Sequence, residues 1–168
     1  NIVAGMLHSI GDLERISDHA VSVLKVAKEL HDKKVSFSPE AQEELEHLIA
    51  ATKEILSTTV IALNKRDLIL AQDIEPLEQT IDDIKAKMKK HHIKRLQNGE
   101  CTIELGFIFA DLLSSIERVS DLCANVAAYM IEVADDRLET HIYSHDVRKN
   151  GDNYRQKYES YRQKYLKM

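Results

Sequence analysis

Apolar residues recur every three or four positions along most of the chain, which is the period of one face of an α-helix. Four long segments show this pattern: from near the N-terminus to about Leu30, from Ser38 to about Leu63, from about Leu70 to Gln97, and from about Thr102 to Val133. Short polar turns separate them, and no segment alternates with the period of a β-strand. The pattern therefore predicts an all-α fold, an antiparallel four-helix bundle.

Local signals mark several helix ends. Ser38 followed by Pro39 is typical of an N-cap and a first helical position, and Asn98-Gly99 is typical of a helix end. Pro76 lies inside the third pattern, so we expect a kink or a later helix start there. We predict that residues 1–135 form the bundle.

The first helix shows one apolar row that we expect to face the core. Its members are Met6, Ile10, Leu13, Ile16, Ala20, Val23, Ala27 and Leu30. Because these residues are mostly large and apolar, an unpaired flank of this helix from Met6 to Val23 would favour self-association. The expected assembly is a twofold homodimer.

After Asp135 the pattern becomes irregular, and residues 136–168 are predicted to be a C-terminal extension with a short helix. Four tyrosines at helical spacing mark that helix: Tyr154, Tyr158, Tyr161 and Tyr165. Residues 148–168 contain seven Lys or Arg and two Asp or Glu. The tyrosines either pack on the bundle or, with the basic residues, contact an acidic partner or anionic lipid.

Composition agrees with a helical domain. The 168 residues include five glycines, two prolines and no tryptophan, and 30% of them are charged. The formal net charge of −5 argues against nucleic acid as the main partner. Cys101 and Cys123 are about six helical turns apart, too far for a disulfide within one helix, so we expect reduced thiols.

Membrane insertion is not expected of these residues. The most apolar stretch, 102–116, contains Glu104 and Asp111 and is too short to span a bilayer. The fragment itself is therefore expected to be soluble. The chain begins at Asn1 already in a helical pattern, which suggests a fragment of a longer polypeptide.

One pentapeptide occurs twice, as Glu-Arg-Ile-Ser-Asp from Glu14 to Asp18 and as Glu-Arg-Val-Ser-Asp from Glu117 to Asp121. Four residues are about one helical turn, so each copy places two carboxylates side by side. A hard cation between them would relieve their repulsion. The alternative is a pair of exposed acids paired with arginine or lysine, and other acid pairs in the chain share the spacing.

An enzymatic alternative is a di-iron bundle, which requires Glu-x-x-His on two helices. The chain offers that spacing once, at Glu44 and His47. The sequence shows no Ser-His-Asp ordering, no phosphate-binding glycine loop and no CxxC pair. We therefore expect no enzymatic activity.

The segment Gly11-Asp-Leu-Glu-Arg-Ile-Ser-Asp-His-Ala20 resembles the signature helix of PhoU-like domains. The string His92-Ile-Lys-Arg-Leu-Gln-Asn-Gly-Glu-Cys101, followed by the second pentapeptide and Asn125, is similar to the C-terminal PhoU-like domain of bacterial Na⁺/phosphate cotransporter-related membrane proteins. The resemblance covers nearly the whole chain. It implies one full three-helix repeat, preceded by the last helix of another repeat.

The resemblance also implies a metal site. The family's motifs pair on neighbouring helices, which assigns Glu78, Asp82, Glu117 and Asp121 to one carboxylate quartet. Glu14 and Asp18 would bind metal only with helices that this sequence lacks. Departures from the family pattern are Ser17 and Ser120 in place of glycine.

The function implied is a metal-binding regulatory domain of a sodium-dependent phosphate transporter. The partners would be an upstream transmembrane domain of the same polypeptide and a second copy. The domain would lie on the cytoplasmic side of the inner membrane, as part of an integral membrane protein. A free-standing PhoU-type regulator of a transporter or sensor kinase is the alternative. All-oxygen ligands suit iron, manganese, magnesium or calcium, with zinc left open.

Overall fold

The fold is all-α over the part of the chain that the structure, a computed structural model, describes: residues 2–137 and 150–166. The helices are α1 (Ile2–Lys33), α2 (Pro39–Lys65), α3 (Leu68–Gln72), α4 (Ile74–Gln97), α5 (Ile103–Arg137) and α6 (Asn150–Tyr165). The four long helices α1, α2, α4 and α5 confirm the predicted bundle. None of the described helices has both the length and the hydrophobicity that crossing a bilayer would require.

Helix boundaries follow the local signals. Ser38 caps α2 by accepting a hydrogen bond from the Ala41 amide, and Pro39 is the first helical residue. The third predicted helix is divided at Asp73, which separates α3 from α4. Pro76 therefore lies in the first turn of α4, where its missing N–H costs no helical hydrogen bond.

Helix α5 is central and packs against α1, α2, α3 and α4. Contacts at opposite ends show that α1 and α5 are antiparallel. His8 stacks on Tyr129 near one end, and Lys33 Nζ lies 2.6 Å from Glu104 Oε1 near the other. Helix α4 is also antiparallel to α5, because His92 stacks on Phe109 while Lys85 contacts Glu117.

The core lies between α2, α4 and α5. The apolar residues of α4 that recur every three or four positions are fully buried: Ile74, Leu77, Ile81, Ile84 and Met88. Burial of five such side chains on one helix contributes several kcal/mol, at roughly 1.5–3 kcal/mol for each. This row holds α4 in register with α5 and so fixes the candidate site.

The predicted core row of α1 is partly wrong. Met6 is 52% exposed and Ile10 is 62% exposed, whereas Asp12 and Val26 are buried. Because α1 packs mainly against α5, only a narrow row of α1 is covered. Periodicity located an apolar helix but not the angle at which it meets its neighbour.

Helix α6 packs on α4 and contacts α2. Tyr165 is buried, and Lys157 Nζ lies 2.7 Å from Asp73 Oδ2. Of the two alternatives for the tail, the structure shows the tyrosine face packed on the bundle. The division at residues 135 and 136 stays a prediction, because the intervening residues 138–149 lie outside the described part.

Candidate metal centre

Three acidic side chains from α4 and α5 form a cluster. Glu78 and Asp82 are one turn apart on α4, and Asp121 faces them from α5. One carboxylate oxygen from each lies within 4.8 Å of the others, and all three side chains are half-buried. The antiparallel packing of α4 on α5 thus brings together three of the four residues predicted for the quartet.

Electrostatic repulsion is evident in the cluster. Burial, followed by the nearby charges of Asp82 and Asp121, raises the pKa of Glu78 to about 7. Burial and the charge of Asp82 also raise the pKa of Asp121 above its ordinary value. Both groups therefore resist ionisation, because burial and the neighbouring carboxylates outweigh the opposing positive charge of Lys85.

The shift at Glu78 predicts a pH dependence of the metal-free protein. The folded state holds a proton on Glu78 up to a pH of about 7, whereas the unfolded chain releases it near 4.5. The free energy of unfolding should therefore fall as pH rises between these values. In chelator-treated protein, Glu78→Gln should reduce that slope in urea denaturation. At pH 8 it should stabilise the fold by about 1 kcal/mol, less than the full shift would give because the group is half exposed.

A matched control is Glu43→Gln, at an exposed position on α2. This variant should show the same fall in the free energy of unfolding with rising pH as the parent protein. If Glu78→Gln kept it too, Glu78 would not be the titrating group.

Glu117, the fourth predicted residue, has a different partner. Its Oε1 accepts a hydrogen bond from Lys85 Nζ, and the same nitrogen lies 3.7 Å from Asp82 Oδ1. Lys85 was not among the residues singled out from the sequence. The sequence did contain a pattern that indicates its position, because Glu78, Asp82 and Lys85 share the i, i+4, i+7 spacing of one helical face.

The chemistry of the cluster fits a hard cation. Asp82 Oδ1 is a buried oxygen that accepts no hydrogen bond among the described residues, and the ammonium group of Lys85 lies 3.7 Å away, beyond hydrogen-bond distance. A buried oxygen of this kind costs free energy unless a hydrogen-bond donor or a cation reaches it. Carboxylate oxygens on two helices are the donors that Mg²⁺, Ca²⁺, Mn²⁺ and iron prefer.

Glu14 and Asp18 are exposed on α1. The hydroxyl groups of Ser17 and Ser22 donate to their main-chain carbonyl oxygens, not to the carboxylates. In the described part of the chain these two acids belong to no cluster of three possible ligands. Metal binding by this pair stays a prediction.

The carboxylate cluster opens into a cleft of about 1260 Å³. Its lining includes Glu78 and Asp121, Arg15 and His19 of α1, and Tyr154 of α6. Arg118 Nη1 lies 3.8 Å from Asp121 Oδ2. A cation at the cluster would therefore share the cleft with basic side chains.

Fold and site together define an all-α bundle that gathers carboxylates of two antiparallel helices at a cleft. The PhoU domain model matches residues 45–130, a little over half of the chain and including α4 and most of α5. The chain belongs to the PhoU domain family.

Curated relatives from two organisms are similar to the chain. The phosphate-specific transport system accessory protein PhoU homolog 1 of Thermotoga maritima is 25% identical over 122 residues, 73% of this chain and 52% of that protein. The PhoU homolog of Streptococcus pneumoniae is 22% identical over 136 residues, 81% of this chain and 62% of that protein. The chain thus spans between half and two thirds of these relatives. No solved structure matches it significantly.

Proposed function

We propose that the chain is a metal-binding regulatory domain of a sodium-dependent phosphate transporter. The observation that carries the proposal is the cluster of Glu78, Asp82 and Asp121 within a PhoU domain. The relatives are named as accessory proteins of a phosphate-specific transport system, which supports a role in phosphate transport. In this proposal the role is regulatory and not enzymatic.

In this proposal Glu78, Asp82 and Asp121 hold the metal. The ion supplies positive charge between α4 and α5 and offsets both the burial and the carboxylate repulsion that raise the pKa of Glu78. Since both helices contribute ligands, metal binding stiffens their packing and changes the surface around the cleft. Iron, manganese, magnesium, calcium and zinc are the candidates, and Glu117 is a further ligand if Lys85 releases it.

The transporter part of the proposal places the domain on the cytoplasmic side of the inner membrane, attached to an upstream transmembrane domain. It rests on the resemblance of the segment from His92 to Cys101 to cotransporter-related proteins. The second candidate is a free-standing PhoU-type regulator that acts on a transporter or a sensor kinase. The names of the relatives favour this alternative, because they describe an accessory protein.

Sequencing the gene upstream of Asn1 distinguishes the two candidates. Several apolar segments of about 20 residues each would support the transporter domain. An open reading frame without such segments would favour the separate regulator.

A cellular experiment tests the regulatory role. Asp82→Asn with Asp121→Asn should change the response of phosphate uptake to external phosphate, measured with labelled phosphate with and without sodium. The control Glu43→Gln with Glu46→Gln removes the same charge from exposed positions of α2 and should leave uptake unchanged. A normal response in the first variant would contradict the proposed function.

A second copy of the chain is the proposed partner of α1. The outer row of α1 comprises Val3, Leu7, Ile10, Glu14, Ser17, Val21, Leu24 and Lys28. These positions alternate spacings of four and three, as along the seam of a coiled coil, and all of them are exposed. The five apolar members are between 51% and 67% exposed.

The outer row is self-complementary under a twofold axis. In an antiparallel pair centred near residue 15, Leu7 of one copy faces Leu24 of the other, and Ile10 faces Val21. Glu14 faces Ser17, which avoids directly opposed acids. Such an isologous contact closes as a dimer.

We expect the isolated chain to sediment as a dimer at micromolar concentration and Leu7→Glu with Leu24→Glu to sediment as a monomer. In that antiparallel pair the two introduced carboxylates would face each other, and burying opposed like charges would cost several kcal/mol. Ile69→Glu, at a 74% exposed position of α3, is the control and should remain dimeric. A monomeric parent protein would contradict this proposal, since further helices and not a second copy would then be needed to cover α1.

A further inference from the structure

Lys85 is an unusual neighbour for a candidate metal site. Its side chain is only 12% exposed and lies between α4 and α5. Its Nζ donates a hydrogen bond to Glu117 Oε1 and is 3.7 Å from Asp82 Oδ1. A buried ammonium group is costly unless it is paired, so these two carboxylates account for its position.

The ammonium group changes the carboxylate quartet in two ways. It engages Glu117, which leaves Glu78, Asp82 and Asp121 as the three acids within reach of one another. It also adds a positive charge beside Asp82. That charge works against the rise in the pKa values of Glu78 and Asp121, so its influence reaches the whole cluster.

A metal ion at the cluster would lie close to this charge. Metal–oxygen distances are about 2–2.6 Å, so an ion bound to Asp82 Oδ1 would lie within roughly 6 Å of Lys85 Nζ. Two cations at this separation repel each other, more strongly in a half-buried site than in water. Lys85 and the metal therefore compete for the same negative charge.

We propose that Lys85 is a resident cation that competes with the metal and sets the affinity of the site. Without metal, Lys85 connects α4 to α5 through Glu117 and also lies beside Asp82 on its own helix. With metal, the Lys85 ammonium group repels the ion and keeps Glu117 hydrogen-bonded to itself. Both effects keep metal binding weak enough for the ion to exchange. This inference rests on the proposed metal function, and it adds a residue that determines how tightly the metal is held.

The test compares Mn²⁺ dissociation constants, measured by isothermal titration calorimetry on chelator-treated protein. Lys85→Met should bind Mn²⁺ at least tenfold more tightly than the parent chain, because the repulsion is removed and Glu117 becomes available. Lys85→Arg keeps the charge and should stay near the parent affinity. Lys89→Met, at an exposed position one turn further along α4, is the control and should not change the affinity.

The direction in which Lys85→Met changes the Mn²⁺ affinity distinguishes a competing cation from a residue with a purely structural role. Loss of a structural contact would weaken metal binding, whereas loss of a competing cation strengthens it. Adding Glu117→Gln to Lys85→Met should remove part of the gain, which measures the contribution of the released carboxylate.

Two failures are distinguishable. If the parent chain binds Mn²⁺ and Lys85→Met binds it equally or more weakly, this inference is wrong while the metal function stands. If neither protein binds Mn²⁺, the metal function is wrong and the inference is overturned with it.

Discussion

Saturating Mn²⁺ is expected to raise the melting temperature of the chain by about 5–10 °C. At a free concentration one hundred times the dissociation constant, a ligand that binds only the folded state adds about 2.7 kcal/mol. For a domain of this size each kcal/mol corresponds to roughly 2–4 °C. Glu78→Gln with Asp121→Asn should abolish the shift, because two of the three clustered carboxylates lose their charge.

The same double variant should be as stable as the metal-free parent, or more stable, since both acids have raised pKa values in the folded state. Differential scanning calorimetry with and without Mn²⁺ measures both effects. Glu43→Gln with Glu46→Gln on the exposed side of α2 should retain the full shift. A full shift in the Glu78 and Asp121 double variant would place the metal elsewhere in the chain.

Arg95→Met is expected to destabilise the fold by about 3–5 kcal/mol, because it leaves Glu44 as a buried charge without its main partner. Glu44 is 6% exposed and Arg95 is 8% exposed. The arginine donates two hydrogen bonds to the carboxylate, at 3.3 and 2.9 Å, and His91 Nδ1 contacts the same group. This cluster connects α2 to α4 at a distance from the carboxylates of Glu78 and Asp121.

Urea denaturation of a double-mutant cycle checks the prediction. Glu44→Met with Arg95→Met should recover much of the loss, because no unpaired charge then remains buried. Lys53→Met, at an exposed position of α2, should change the free energy of unfolding by less than about 0.5 kcal/mol. A similarly small effect of Arg95→Met would show that water compensates Glu44.

The pair of Glu44 and Arg95 also shows the limit of inferring exposure from the i, i+4 spacing of acidic residues. Glu40 and Glu44 share the i, i+4 separation of the repeated pentapeptides and resemble an ordinary exposed acid pair in the sequence. In the structure Glu44 is buried and paired with Arg95, so the spacing alone did not show that it is exposed. Arg95 is 51 residues away in sequence, and no local pattern connects the two positions.

The sequence by itself determined the local structure. Ser38 and Pro39 set the start of α2, and the buried row of α4 from Ile74 to Met88 followed from periodicity. Pro76 predicted either a kink or a helix start, and the structure shows a helix start two residues before it. These features depend on hydrogen bonds and side-chain spacing within one helical turn, which a sequence states directly. The separation of four residues likewise placed Glu78 beside Asp82 before any packing was known.

The family resemblance grouped Asp121 with Glu78, Asp82 and Glu117, but only the tertiary structure decided which side chains meet across helices. It brought Asp121 to Glu78 and Asp82, directed Glu117 to Lys85, and left the outer row of α1 exposed. Periodicity gives the face of a helix only to within about one residue, and it does not give the angle or register of a neighbour. A shift of one residue rotates a side chain by about 100°, so the membership of the carboxylate cluster depends on how α4 and α5 pack.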